Sequence, residues 1–375
     1  MPVFHTRFAR AFLVCGRFPN LQPQILPMTP SLGLATYRWN NNIKSMLLLA
    51  AFPFLLMALV GGFFAVAAWV YQNGTPNGID AGFFQGFGLP ADTPRTVWAA
   101  AQAALWAYWP LVVGMATLWV LIGYFFNDAM IRAATGAKAV TRSEAPELYK
   151  LLENLCILRG LAMPRLYVID SDALNAFATG LDEKSYSVTV TRGLLAALDR
   201  DELEAVLAHE LSHIINRDCR LLVVTVVFTG MISFIAQMAW RSLRFSSYGR
   251  NRNRNNGGVA GLALIAAVLA SIGYVLALVL RFALSRKREY LADAGAVALT
   301  KNPDALIEAL RKISGRSEVP HVPAEVRQMF IENPPSLFGL FDTHPPIEQR
   351  IAVLRQLGGL PPEGESIIPP SGGNR

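Results

Sequence analysis

Four stretches of this chain run far enough without a charged side chain to cross a bilayer: Met46–Tyr71, Val97–Phe126, Leu221–Trp240 and Val259–Leu280. Each holds about 20 residues or more, the length a helix needs to span a hydrocarbon core roughly 30 Å thick. A large soluble core can bury one such helix. Four of them in a chain of 375 residues, 53% hydrophobic and 16% charged, point instead to an integral membrane protein in contact with a lipid bilayer. Everything between the spans then has to fold at the membrane surface.

The spans divide the chain. Residues 1–45 form a basic arm with Arg7, Arg10, Arg17, Arg38 and Lys44 and no acid. Three readings compete for it: a cytoplasmic arm obeying the positive-inside rule, an Arg-rich organellar transit peptide, or a false start with Met28 as the true first residue. Residues 46–126 hold two spans joined by a Gly/Pro-rich loop whose Asp80 and Asp92 place it outside and the N-terminus inside. Residues 127–220 then return inside as a folded domain, 221–284 form a membrane hairpin, 285–357 are polar again, and the Pro/Gly/Ser-rich tail 358–375 is expected to be disordered. Cys15, Cys156 and Cys219 form no CxxC pair, so a disulfide framework or cysteine zinc ribbon has no support. The net charge of +7 is not gathered into a basic block with interleaved aromatics, so no nucleic-acid partner is expected. Nothing in the sequence speaks to oligomeric state.

Within 127–220 the spacing predicts a helix over 144–159, stopped by Gly160. Strands are predicted at LYVID (166–170) and YSVTVT (186–191), with the short apolar NAFATG (175–180) between them as a candidate edge strand. A helix over 201–217 follows, opening on acids from Asp201 and burying Leu203, Val206, Leu207 and Leu211. A further helical region over 289–314 is interrupted at Asn302-Pro303. The fold class is a mainly α-helical membrane protein carrying a small α+β domain.

The 201–217 helix contains His209, Glu210 and His213 in the pattern H-E-x-x-H. Residues i and i+4 share a helix face, so both imidazoles can meet one cation while Glu210 stands beside it. Zinc held by neutral imidazoles acidifies water and polarises a carbonyl, and an adjacent free carboxylate can take the water's proton and pass it to the leaving amine. A metzincin would need Gly and His further on, but Asn216 and Cys219 occupy those positions. Asp218 is near enough to consider as third ligand. Glu289, in SRKREYLADAGA (285–296), is the better candidate, with Asp293 one turn on to accept a hydrogen bond from a ligand imidazole. The alternative for Glu289 is an exposed carboxylate among Arg286, Lys287 and Arg288. The hairpin favours the ligand, because its two ends must return to one face of the membrane. Its loop, with Arg241, Arg244, Arg250, Arg252 and Arg254 and no acid, opposes the positive-inside rule, so full crossing stays open.

NAFATG (175–180), AVLAHELSHIINRD (205–218), SRKREYLADAGA (285–296) and DTHPPIEQRI (342–351) together resemble the HtpX family of membrane zinc metallopeptidases, related to the CAAX prenyl proteases. The resemblance covers roughly residues 45–355. It implies a zincin-like, gluzincin-type endopeptidase with one Zn2+ per chain, ligated by His209, His213 and Glu289, with Glu210 as general base. It also implies that Asn175, Ala176, Phe177 and Ala178 receive an extended protein substrate by β-augmentation, and that His344 and Arg350 help stabilise an oxyanion. The implied role is quality control of misfolded or damaged membrane proteins, with the catalytic domain on the cytoplasmic side of a bacterial inner membrane; an organellar membrane is the alternative. The alternative functions are a prenyl-protein peptidase and a membrane scaffold with structural zinc. The arm is longer than the family usually has, and the prenyl proteases have more spans around a chamber. His5 and His321 match no motif.

Overall fold

The computed structural model describes residues 34–74, 85–90, 96–248, 264–274, 287–327, 329–332 and 344–359. Two long helices open it, α1 (Leu34–Gly74) and α2 (Val97–Thr135). Thr96 starts α2 by accepting the Ala99 N–H, and Gly136 stops it at φ 70°, where glycine bears no Cβ penalty. The helices meet along small residues, Ala67 and Ala68 against Ala100 and Ala104, which allow close approach in lipid. Their outer faces carry exposed Phe54, Trp98, Trp106 and Phe125, the pattern of a lipid-facing surface.

The polar domain is built on a four-stranded sheet: β1 (Lys138–Ala139), β2 (Arg165–Ile169), β3 (Ala176–Thr179) and β4 (Ser187–Thr191), in the order β1-β2-β4-β3. β2 and β4 are parallel, the other pairs antiparallel, and β3 is an edge. The two-residue β1 has no pattern to announce it. Around the sheet lie α3 (Pro146–Arg159), α4 (Arg192–Ala197) and α5 (Arg200–Ile215). α5 begins earlier than its acidic run suggests: Asp199, not Asp201, is its cap. The Asp199 carboxylate accepts the Glu202 N–H, the Glu202 carboxylate accepts the Asp199 N–H, and Lys312 pairs with Glu202 at 2.6 Å.

α5 does not run on into the membrane. Asn216 ends it, Arg217 takes φ 60°, and α6 (Asp218–Tyr248) starts in a new direction. An unstrained continuous helix was the simpler expectation, and the left-handed Arg217 is what breaks it. α6 packs into α1 and α2 through a cluster that includes Phe52 stacked on Phe228 at 4.3 Å. Three described helices are long and apolar enough to span a membrane: Trp39–Asn73, Val97–Thr135 and Asp218–Arg241. Of the fourth stretch only α7 (Leu264–Tyr274) is described. The hairpin loop from Gly249 on, the N-terminal arm up to Gly33, the tail from Leu360, Cys15 and His5 lie outside the described residues, while the start of that loop, from Arg241 to Tyr248, continues α6. α8 (Lys287–Thr300), α9 (Pro303–Ile313), the short α10 (Ala324–Arg327) and α11 (Ile347–Leu357) complete the fold. One apolar core joins α3, the sheet, α5, α9 and α11.

Because the cap of α5 fixes where the H-E-x-x-H helix begins, Asp199→Ala should cost about 1 kcal/mol. The check is a denaturant or thermal melt in detergent, in which Asp199→Ser should keep most of the stability that Asp199→Ala loses.

Candidate metal centre

α5 presents His209 and His213 on one face, and α8 lies across it. Gly295 makes that crossing possible: a Cβ there would sit 2.4 Å from Ser212 Oγ and 2.9 Å from its Cβ. The close approach brings Glu289 against the histidines, and all three residues are buried. The Nε2 atoms of His209 and His213 are 3.2 Å apart, and Glu289 Oε2 lies 3.6 Å from the first and 3.7 Å from the second. Among the described residues this is the one His/Cys/Asp/Glu group able to close on an ion. The three edges are near the ~3.3 Å expected between ligand atoms of a tetrahedral zinc site.

Each imidazole is held from behind. His209 Nδ1 is 2.9 Å from Asp293 Oδ1, and His213 Nδ1 is 3.0 Å from Asp218 Oδ2. A carboxylate at Nδ1 keeps the proton there and leaves the Nε2 lone pair free. Two such lone pairs and a carboxylate oxygen then converge in a buried space with nothing positive between them. Asp218, weighed above as a ligand, faces the far side of His213 and serves as its hydrogen-bond acceptor.

The surrounding electrostatics agree. Burial alone would lower the His213 pKa, but the Glu289 and Asp218 carboxylates outweigh it and push it up to about 10. Burial works to raise the Glu289 and Asp293 carboxyls; His344 and His213 pull the first well below its usual range, and Arg350 lowers the second. Surplus negative charge therefore draws a proton onto the imidazole, and a divalent cation would answer the same field. Burial raises the Glu210 pKa, and neither of its oxygens has a hydrogen-bond partner. Glu289 Oε2 and both ring nitrogens of His344 are equally without one. Buried polar atoms of this kind are rare in native structures, and these converge on one point. The residues fit a metal ion with a water beside it.

The other sequence candidates fall around this centre. His344 Nδ1 lies 3.2 Å from Glu289 Oε2, without the alignment of a hydrogen bond. Arg350, expected to face an oxyanion, is placed otherwise. Its Nε and Nη2 donate to Asp293 at 2.9 and 2.7 Å and its Nη1 to the Ile331 carbonyl at 3.1 Å, so three of its five N–H groups are committed to Asp293 and Ile331. Arg288 is buried rather than solvated, and donates to Glu289 Oε1 at 3.1 Å. His321 is exposed and apart from the centre.

Asn175 caps β3, and Ala176, Phe177 and Ala178 lie within it, all four buried. The Thr191 N–H donates to the Asn175 carbonyl, so by antiparallel alternation Phe177 and Thr179 face β4 while Ala176 and Ala178 face the free edge. The Ala176 end of that edge is already engaged. Asn175 Oδ1 accepts the Ala176 N–H at 3.0 Å, and the Ile331 N–H donates to the Ala176 carbonyl at 2.9 Å. Phe177 stacks on Phe330 with ring centroids 5.0 Å apart.

A model of peptidase family M48 matches residues 142–357. A protein named Protease HtpX homolog from Bacteroides fragilis is 48% identical over 256 residues, covering 66% of this chain and 80% of that protein. The Protease HtpX homolog of Ligilactobacillus salivarius is 41% identical over 252 residues, covering 66% and 84%. The crystal structure of S. mikatae Ste24p aligns with 84% of this chain and 66% of its own at 19% identity, with a TM-score of 0.40.

If the Gly295 contact sets the spacing between α5 and α8, Gly295→Ala should weaken metal binding by about tenfold or more while leaving the membrane helices intact. Adding Ser212→Gly should restore it. Metal titration of the single and double variants is the check.

Proposed function

The chain belongs to peptidase family M48 and is a membrane metalloprotease, a hydrolase of protein substrates, and we propose that its metal is zinc, one ion per chain, held by His209, His213 and Glu289. The observation that carries the reading is Glu210, a buried carboxylate with both oxygens unpartnered, beside three converging ligand atoms. A structural metal site needs no such group. Bound zinc would polarise a peptide carbonyl and acidify water.

The chain's own residues do the rest. Glu210 takes a proton from the attacking water and delivers it to the leaving amine; burial raises its pKa, which favours its holding the proton between the two steps. Asp293 and Asp218 hold the two imidazoles, and Arg350 fixes Asp293. His344, whose Nδ1 faces Glu289 and whose Nε2 makes no hydrogen bond, is the group available to hydrogen-bond the reacting carbonyl. Substrate adds to β3 in extended form, pairing with Ala178, the residue whose backbone faces the edge beyond the Ile331 contact. Pairing as far as Ala176 requires the 329–332 segment to leave.

We further infer an active site on the cytoplasmic face of a bacterial inner membrane, acting on misfolded or damaged membrane proteins. The support is the basic arm before α1, the acidic character of the loop after it, and the position of the centre at the start of α6.

Glu210→Gln should keep one zinc per chain and lose about 10²–10⁴-fold in cleavage of an unfolded substrate. His213→Ala should lose both metal and cleavage. Equal cleavage by Glu210→Gln and wild type would sink the catalytic reading. Substrates trapped on Glu210→Gln in cells should be enriched in membrane proteins; a soluble set would reject the quality-control assignment.

For orientation, Ser143→Cys in a background lacking the native cysteines should react with an impermeant thiol reagent only from the cytoplasmic side. Labelling in intact cells would reverse the topology.

A further inference from the structure

The metal centre does not stop at the peptidase domain. Asn41, on α1, is 3% exposed and donates from Nδ2 to Asp218 Oδ1 at 2.8 Å and to the Asn216 carbonyl at 3.1 Å. Tyr37, one turn earlier, donates to the same Oδ1 at 3.2 Å. The other oxygen, Oδ2, is the one that meets His213 Nδ1 at 3.0 Å. Two donors on one oxygen fix the rotation of the carboxylate and aim the second oxygen at the imidazole.

The same amide grips the helix itself. Asn216 is the residue that ends α5, the helix carrying His213, and the chain breaks at Arg217 immediately after it. Asn41 thus holds both the carboxylate behind His213 and the last carbonyl of the helix that bears it. These contacts reach back 175 and 177 residues along the chain. A buried amide at the edge of a membrane helix is costly unless its donors are satisfied, and both amide hydrogens of Asn41 are spent on this one joint.

We infer that the first membrane helix is a working part of the metal centre: Asn41, assisted by Tyr37, is a positioning residue that acts through Asp218 to orient His213. The inference rests on the reading of His213 as a ligand. The rival explanation is that Asn41 merely staples α1 to α6, in which case loosening that helix pair anywhere should act alike.

Zinc affinity separates the two. The full-length protein in detergent is stripped with a chelator and titrated with Zn2+ against a competing indicator. Asn41→Leu should weaken zinc binding about tenfold and Asp218→Asn about 10–100-fold. The double variant should lose less than the product of the two single losses, because Asn41 and Asp218 act through the same imidazole. Tyr37→Phe, which removes a single hydroxyl, should cost about twofold to fivefold. Phe52→Ala, which loosens α1 against α6 without touching the joint, should leave the affinity unchanged. Wild-type affinity in Asn41→Leu and Tyr37→Phe would overturn the inference, as would losses that multiply in the double variant. An equal loss in Phe52→Ala would do the same. If wild type takes up no stoichiometric zinc, the metal assignment fails first and this inference falls with it.

Discussion

Two imidazole nitrogens 3.2 Å apart in a buried space, with a carboxylate oxygen facing both, call for a proton or a cation shared between them. They hold that position because Asp293 and Asp218 take the opposite ring nitrogens. Both carboxylates are in turn held, one by Arg350 and the other by Asn41 and Tyr37. Much of the architecture follows from holding these groups together. α8 must cross α5 closely enough to bring in Glu289, which is why Gly295 faces Ser212. α11 must return from the far end of the domain to deliver a fully buried arginine.

The membrane and the peptidase site are therefore not separate modules joined by a linker. α6 starts with Asp218, a residue that belongs to the site, and continues into a stretch apolar enough to cross lipid. The break at Arg217 lets the two directions differ: α5 follows the sheet, and α6 follows α1 and α2. A continuous helix would have tied the orientation of His213 to the tilt of the membrane segment.

The parts of this legible in sequence are those with a local signal. Apolar run length marks the spans, β-branched clusters mark β2 and β4, and the four-residue histidine spacing marks one face of α5. Less local features escape. Asp199 and Asp201 look equally able to cap, and only the reciprocal bond with Glu202 decides between them. Arg288 sits in a basic run that reads as solvated, yet it is buried against Glu289, with Asp218 and Tyr37 near it. A non-glycine residue at φ 60° leaves no mark on composition, so the helix break at Arg217 had no herald. Asn41 and Tyr37 sit at the foot of an apolar stretch, and nothing in their neighbourhood announces a carboxylate nearly two hundred residues away. For Arg350 the family motif placed the residue correctly near the centre, but only the geometry gives its direction, behind His209 rather than toward substrate.

The order in which the chain is made adds a consequence. The contacts behind His209 reach forward 141 residues to Arg350, while those behind His213 reach back 177 to Asn41. Contacts so distant in sequence form late, after the intervening segments have found their places. A nascent chain that has just made its two histidines has neither Glu289 nor the arginine that steadies Asp293. The centre is thus complete only after Arg350 has been made and Asn41 on the first helix has found Asp218. A partly made chain therefore carries its two histidines without the groups that would let it use them.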